Sequence, residues 1–194
     1  MILLACLMLV LQAIAQAPEK AVADDLAVTA EIIGHSYKPV KSSGIKPQLI
    51  LYVRLNVRNQ TSSPREITFY SCGWDASWIQ KGAAGFDAWG CNKNYLGTLP
   101  IPAGQSIVFY GPVRVRRDGD EPTRFALGFV DFTETDFGSK IFHKKFKKKR
   151  WDKLLKTKAV YWSNELDGGI DPATTPEITG SARYPDYSLP ETGK

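Results

Sequence analysis

Apolar and polar side chains alternate with a period of two along several stretches of this chain, which places the apolar set on one face of a half-buried strand. The clearest stretch is 49–57. Leu49, Leu51, Val53, Leu55 and Val57 are expected to face a core, and Tyr52, Arg54 and Asn56 to face out. An earlier strand is expected over 26–33, joined to it through a loop at 39–47 that contains Ser42-Ser43-Gly44. A turn cluster at 59–64 ends the second strand, and Ile67, Thr68, Phe69 and Tyr70 resume a third. Pro102-Ala103-Gly104-Gln105 turns into a strand at 106–110, which can continue through 113–116 beyond Gly111-Pro112. After a turn at 118–122, alternation returns over 124–132, and a last strand is expected over 159–166.

Seven or eight short strands separated by turn signals predict an all-β fold, an antiparallel sandwich over residues 26–166. No long stretch shows helical periodicity. From Asp167 to Lys194 four prolines and four glycines fall within 28 residues with few bulky apolar groups, so a disordered, flexible tail is expected there.

Composition adds the compartment. Ile2 to Leu11 is an unbroken apolar run followed by small residues, the layout of a secretory signal peptide cut after Ala15, with 16–25 as a linker. A cut after Ala17 would set Pro18 beside the scissile bond, a poor fit to an extended protease substrate. No Lys or Arg precedes the run, so the α-amino group alone supplies its positive end. The run falls short of the ~20 apolar residues that span a bilayer, and no such stretch follows. Export to the periplasm or the exterior is expected, with no transmembrane segment after cleavage. Leu3-Leu4-Ala5-Cys6 has the form of a lipoprotein box, but only five residues precede Cys6. That position disfavours a lipid anchor.

With Cys6 removed, Cys72 and Cys91 remain in an oxidising compartment, where two cysteines allow one pairing. Closing the intervening loop should stabilise the fold by ~3 kcal/mol. Two unrelated buried thiols are the alternative. A zinc site is disfavoured because His35 and His143 lie far from both cysteines and form no close ligand pair, so no metal and no cofactor is expected.

The strand-and-turn pattern over 49–69, with Val57-Arg58-Asn59 before a Thr/Ser/Pro turn, and over 99–109, with Pro102-Ala103-Gly104-Gln105-Ser106, resembles the immunoglobulin-like domains of bacterial exported proteins, the FxLYD and BsuPI types. The resemblance implies an adhesion or interaction module of the cell envelope, or, for the BsuPI type, a protease inhibitor. The chain departs from the BsuPI type in its export signal and its expected disulfide.

Three features are candidates for function. Phe69, Tyr70, Trp74, Trp78, Phe86, Trp89 and Tyr95 are seven of the chain's 22 aromatic residues. Trp74 and Trp89 can pack on the disulfide as a small satellite core, or Trp74, Trp78 and Trp89 can present a flat binding surface to sugars or to a partner's apolar anchor. Between Lys140 and Lys158 ten basic residues, among them Lys144, Lys145, Lys147, Lys148, Lys149 and Arg150, stand against Asp152 alone. Such a run is either a solvated loop or a site for anionic polymers or lipid head groups; export disfavours nucleic acid as its partner. A glycan or an envelope protein completes the expected partners. Leu189-Pro190-Glu191-Thr192-Gly193 matches a sortase sorting motif, but only Lys194 follows, so cell-wall anchoring is disfavoured.

Catalysis is not expected. Neither histidine stands in a motif that places it beside a nucleophile, and the Asp118, Asp120 and Glu121 cluster suits a turn for backbone reasons alone. The expected function is a non-catalytic binding module. The alternatives are a protease inhibitor presenting a loop near 82–88 and a structural accessory domain.

Overall fold

A computed structural model describes residues 25–38, 48–82, 84–87, 89, 95–115, 123–138, 152–153, 155–180 and 186–188. The chain is all-β with antiparallel sheets, as the alternation predicts. One sheet joins β1 (Leu26–Lys38), β2 (Gln48–Asn59), β7 (Ser106–Val115) and β11 (Asp186–Ser188) in the order β1-β2-β7-β11, with β5 (Ala84–Phe86) also on β7. A second sheet sets β8 (Arg124–Val130) between β4 (Trp78–Gly82) and the pair β9 (Val160–Trp162) and β10 (Leu166–Asp167). β3 (Arg65–Tyr70) pairs with β6 (Leu96–Ile101). α1 (Glu134–Gly138) is a short helix after β8, and Asp152, Lys153 and Leu155 are also helical.

Strand β2 shows why the pattern was readable. Leu51, Val53, Leu55 and Val57 are fully buried and Leu49 partly so, while Arg54 is exposed. The same core takes Phe125, Leu127 and Phe129 from β8, and Ile67, Phe69 and Ile101 from the β3–β6 pair. Asn59 ends β2 as a fully buried amide with its hydrogen bonds met: Nδ2 donates to Ser63 O at 2.7 Å and Ile101 O at 2.8 Å, and Oδ1 accepts from Thr61 N at 2.9 Å. This is the turn that the 59–64 cluster predicts. Gly104, at φ +70, supplies the left-handed residue of the turn before β7.

Two expectations are corrected. A flexible tail is expected over 167–194, of which 167–180 and 186–188 are described. Instead, β10 pairs with β8, β11 pairs with β7, and the segment between them reaches back to β1, where His35 N–H donates to Pro176 O at 2.9 Å and Ile178 N–H to His35 O at 2.7 Å. Pro and Gly marked turns here rather than disorder. The second correction follows from the first. Tyr52, expected to face out, is buried: its register partner is Gly34, and the missing side chain there lets Ile178 settle onto that face of the sheet. A register shift between Ile32 and Gly34 marks the point in β1 where this happens.

The edge of β1 is closed by an unusual device. The Asn164 side chain accepts from Ala30 N–H at 2.8 Å and donates to Ala30 O at 3.0 Å, so one amide satisfies both backbone groups that a neighbouring strand would take.

Candidate functional site

Of the three tryptophans expected as a binding surface, Trp74 and Trp78 are buried and Trp89 is half-buried. Trp74 lies in a 3₁₀ turn (Trp74–Ser77) and is 1% exposed, and Trp78, which opens β4, is 4% exposed. Both belong to the main core rather than to a satellite one. Trp74 reaches this depth because β7 carries Gly111 opposite it; a Cβ at Gly111 would stand 2.7 Å from the Trp74 ring. Around Trp74, Phe86 packs edge-on at 5.4 Å between centroids, and Phe109 and Trp89 lie tilted at 5.2 and 5.3 Å. Trp89 is half-buried and its indole N–H donates to Cys72 O at 2.8 Å, which fastens it to the loop. The indole N–H groups of Trp74 and Trp78 are buried without an acceptor among the described residues. Cys72 is a half-cystine; Cys91 lies outside the described residues.

The loop near 82–88 does not stand free as an inhibitory loop would. Lys81 and Gly82 pair with Ala126 and Phe125, and Ala84 to Phe86 pair with β7, leaving the connection held from both sides. Gly82, at φ +81, turns tightly against the Arg124 carbonyl, where a side chain would collide. Asp87 then sits buried between Lys38 and Arg114, donors to its two carboxylate oxygens. Burial pulls the Asp87 carboxyl upward, but the hydrogen bonds and charges of Lys38 and Arg114 outweigh it and hold it below the ordinary range.

Lys144, Lys145, Lys147, Lys148, Lys149 and Arg150 lie outside the described residues. Farther along the run, Lys153 and Lys156 are exposed, whereas Lys158 ion-pairs with Asp136. A second charge cluster surrounds Arg65, which pairs with Asp25 at 2.8 Å and also with Asp131, while the Tyr161 hydroxyl donates to Asp25. Burial raises the Asp131 carboxyl above its usual value even though Arg65 opposes it. At Asp25 burial is outweighed by the bonds from Tyr161 and Arg65, so that carboxyl is lowered. The cluster joins β3, β8 and β9 to the start of β1, a structural role. No group of three or more His, Cys, Asp or Glu suited to a metal occurs among the described residues.

The open face of the five-stranded sheet is different. Two rungs of outward side chains cross it in register: Thr29, Asn56 and Val108, then Glu31, Arg54 and Tyr110. Partners in register share a face, so these six converge on one patch. With the Ala30 backbone they line a shallow depression of about 460 Å³. Arg54 Nη2 pairs with Glu31 Oε2 at 2.6 Å, both side chains about half exposed. Such a surface pair adds little stability, and its consequence is geometric: two planar, multivalent hydrogen-bonding groups are held side by side next to the half-buried Tyr110 ring. Sequence alternation had marked Arg54 and Asn56 as outward. It carried no signal that β1 and β7 flank β2, so it could not assemble the patch.

No family model, curated protein or solved structure matches this chain. No helix among the described residues is long and apolar enough to cross a membrane.

Proposed function

We propose that this chain is an exported, non-catalytic binding module of the cell envelope that holds a polyhydroxylated ligand, a stretch of glycan, against the open face of the five-stranded sheet. The observation that carries the reading is the depression lined by Thr29, Glu31, Arg54, Asn56 and Tyr110. Adjacent sugar hydroxyls each donate and accept, and the planar ends of Asn56, Glu31 and Arg54 offer both kinds of partner in fixed geometry. The Tyr110 ring gives an apolar surface ending in a polar tip. Because Glu31 neutralises Arg54, the patch favours a neutral ligand.

The setting rests on separate supports. The N-terminal apolar run favours export, and antiparallel sheets around one core fit an immunoglobulin-like sandwich of the envelope type. A Cys72–Cys91 bridge is supported by the half-cystine at Cys72 and by the Trp89 bond to Cys72 O, which brings the chain two residues short of Cys91 to the same loop. The test is titration calorimetry against a panel of neutral and acidic glycans. Arg54→Ala, Asn56→Ala and Tyr110→Ala should each weaken binding tenfold or more, about 1.4 kcal/mol, with the melting temperature unchanged. Undiminished binding in all three variants would overturn the reading.

A further inference from the structure

The edge of β7 that faces away from β2 is divided. Its upper half, Val113 to Val115, is taken by β5, which follows β4 directly and is fixed by that connection. Its lower half, Val108 to Tyr110, is taken by β11, three residues that are remote from β7 in the chain. Asp186 and Ser188 are exposed, and the middle residue, Tyr187, is the anchor, packed edge-on against Phe69 at 5.2 Å and tilted against Phe109 at 6.2 Å.

This slot cannot stand empty at low cost. Phe69 and Phe109 behind Tyr187 are 2% and 0% exposed, and losing β11 would uncover them together with the backbone groups of Val108 to Tyr110. The opposite edge of the same sheet is closed by Asn164 and residues 176–178, which are not strands. β7 is therefore where this sheet accepts a strand.

We propose that a second copy of this chain can fill the slot, its Asp186–Ser188 strand pairing with β7 in exchange for the resident one. A reciprocal exchange makes the same contacts between copies that the strand makes within one, so its balance is set by chain entropy and concentration rather than by new chemistry. The copy that fits is specified by Tyr187, the side chain the Phe69–Phe109 pocket already holds. The exchange also reaches the glycan-binding patch. In register, Asp186 lies beside Tyr110 and Ser188 beside Val108, so the swapped partner would supply the column next to two residues that line the depression. The inference rests on the pairing of β7 and stands whether or not the patch binds glycan.

The experiment mixes two full-length variants, Val108→Cys in one and Ser188→Cys in the other. These positions face each other across β7 and β11, at a separation that suits a disulfide. Under mild oxidation after incubation at high concentration, a covalent heterodimer linked through 108 and 188 is expected. The double variant in one chain, diluted, should bridge internally and shows that the pair can form. Internal bridging with no heterodimer in the mixture overturns the proposal. Should neither bridge, sedimentation of the unaltered chain decides: dimers that grow with concentration, and that Tyr187→Ala shifts to at least tenfold higher concentration, support the exchange, whereas a monomer throughout overturns it. Arg54→Ala, which weakens the proposed glycan site, leaves the exchange unchanged and separates the two readings.

Discussion

Replacing Gly111 with alanine tests how the aromatic core is built. A Cβ at this position would lie 2.7 Å from Trp74 Cη2, 2.9 Å from Cζ2 and 3.7 Å from Phe86 Cε1. The first two separations are closer than carbon atoms tolerate, and Trp74 cannot withdraw, because it is 1% exposed and boxed in by Phe86, Trp89 and Phe109. Elsewhere in a strand, Gly→Ala at an ordinary backbone conformation stabilises by roughly 0.4–1 kcal/mol through the unfolded chain. Gly111 is not among the glycines with positive φ, so backbone strain does not enter. The steric term should therefore decide the sign, and overpacking costs about 1–3 kcal/mol. Equilibrium urea unfolding followed by tryptophan fluorescence and far-ultraviolet circular dichroism reads the effect. Gly111→Ala should lower the midpoint, and Gly111→Ala with Trp74→Phe should be less destabilised than the two single changes added together. A midpoint equal to or above that of the parent would refute the packing argument.

The remaining predictions concern the edge, the charges and the staple. Asn164→Ala leaves Ala30 N–H and C=O on the β1 edge without partners, so stability should fall by about 1–3 kcal/mol and light scattering should show edge-driven association; an unchanged melting temperature with no association would count against the plug. Asp87 has a lowered carboxyl, so its contribution is fully present above its unfolded value near pH 4 and is lost as the pH falls through the folded value. The melting temperature should therefore drop on acidification below about pH 4, and Asp87→Asn should flatten that drop; the same slope in both proteins would contradict the linkage. Cys72→Ser should destabilise the protein by ~3 kcal/mol, and peptide mass mapping without reduction should recover a Cys72–Cys91 pair; a free thiol at Cys91 would contradict the bridge.

The strands were legible where one face is buried and the other wet. β2 kept its predicted inward set because Leu51, Val53, Leu55 and Val57 have nowhere to go but the core, and β7 runs unbroken through Gly111-Pro112, where the sequence left its continuation open. Tyr52 misled because its face is covered by a segment more than a hundred residues away, a fact that no local period contains. The same reason hid β11: three residues among prolines carry no alternation, and pairing with β7 defines them as a strand. Tryptophan density proved ambiguous for a physical reason, since a large ring suits a deep pocket as well as an exposed platform, and the choice turned on Gly111, located between two candidate strand segments with nothing to mark its partner. The binding patch was half legible. Arg54 and Asn56 were read as outward, but Thr29, Glu31, Val108 and Tyr110 joined them only through strand order, which is a tertiary property.

The central claim, that the open face of the five-stranded sheet is the contact surface, is tested most directly by mapping amide chemical shifts while the intact protein is titrated with the glycan it binds best. The account predicts perturbations clustered at Thr29, Glu31, Arg54, Asn56 and Tyr110. Shifts confined to the basic run around Lys153 and Lys156, with those five residues unmoved, would contradict it.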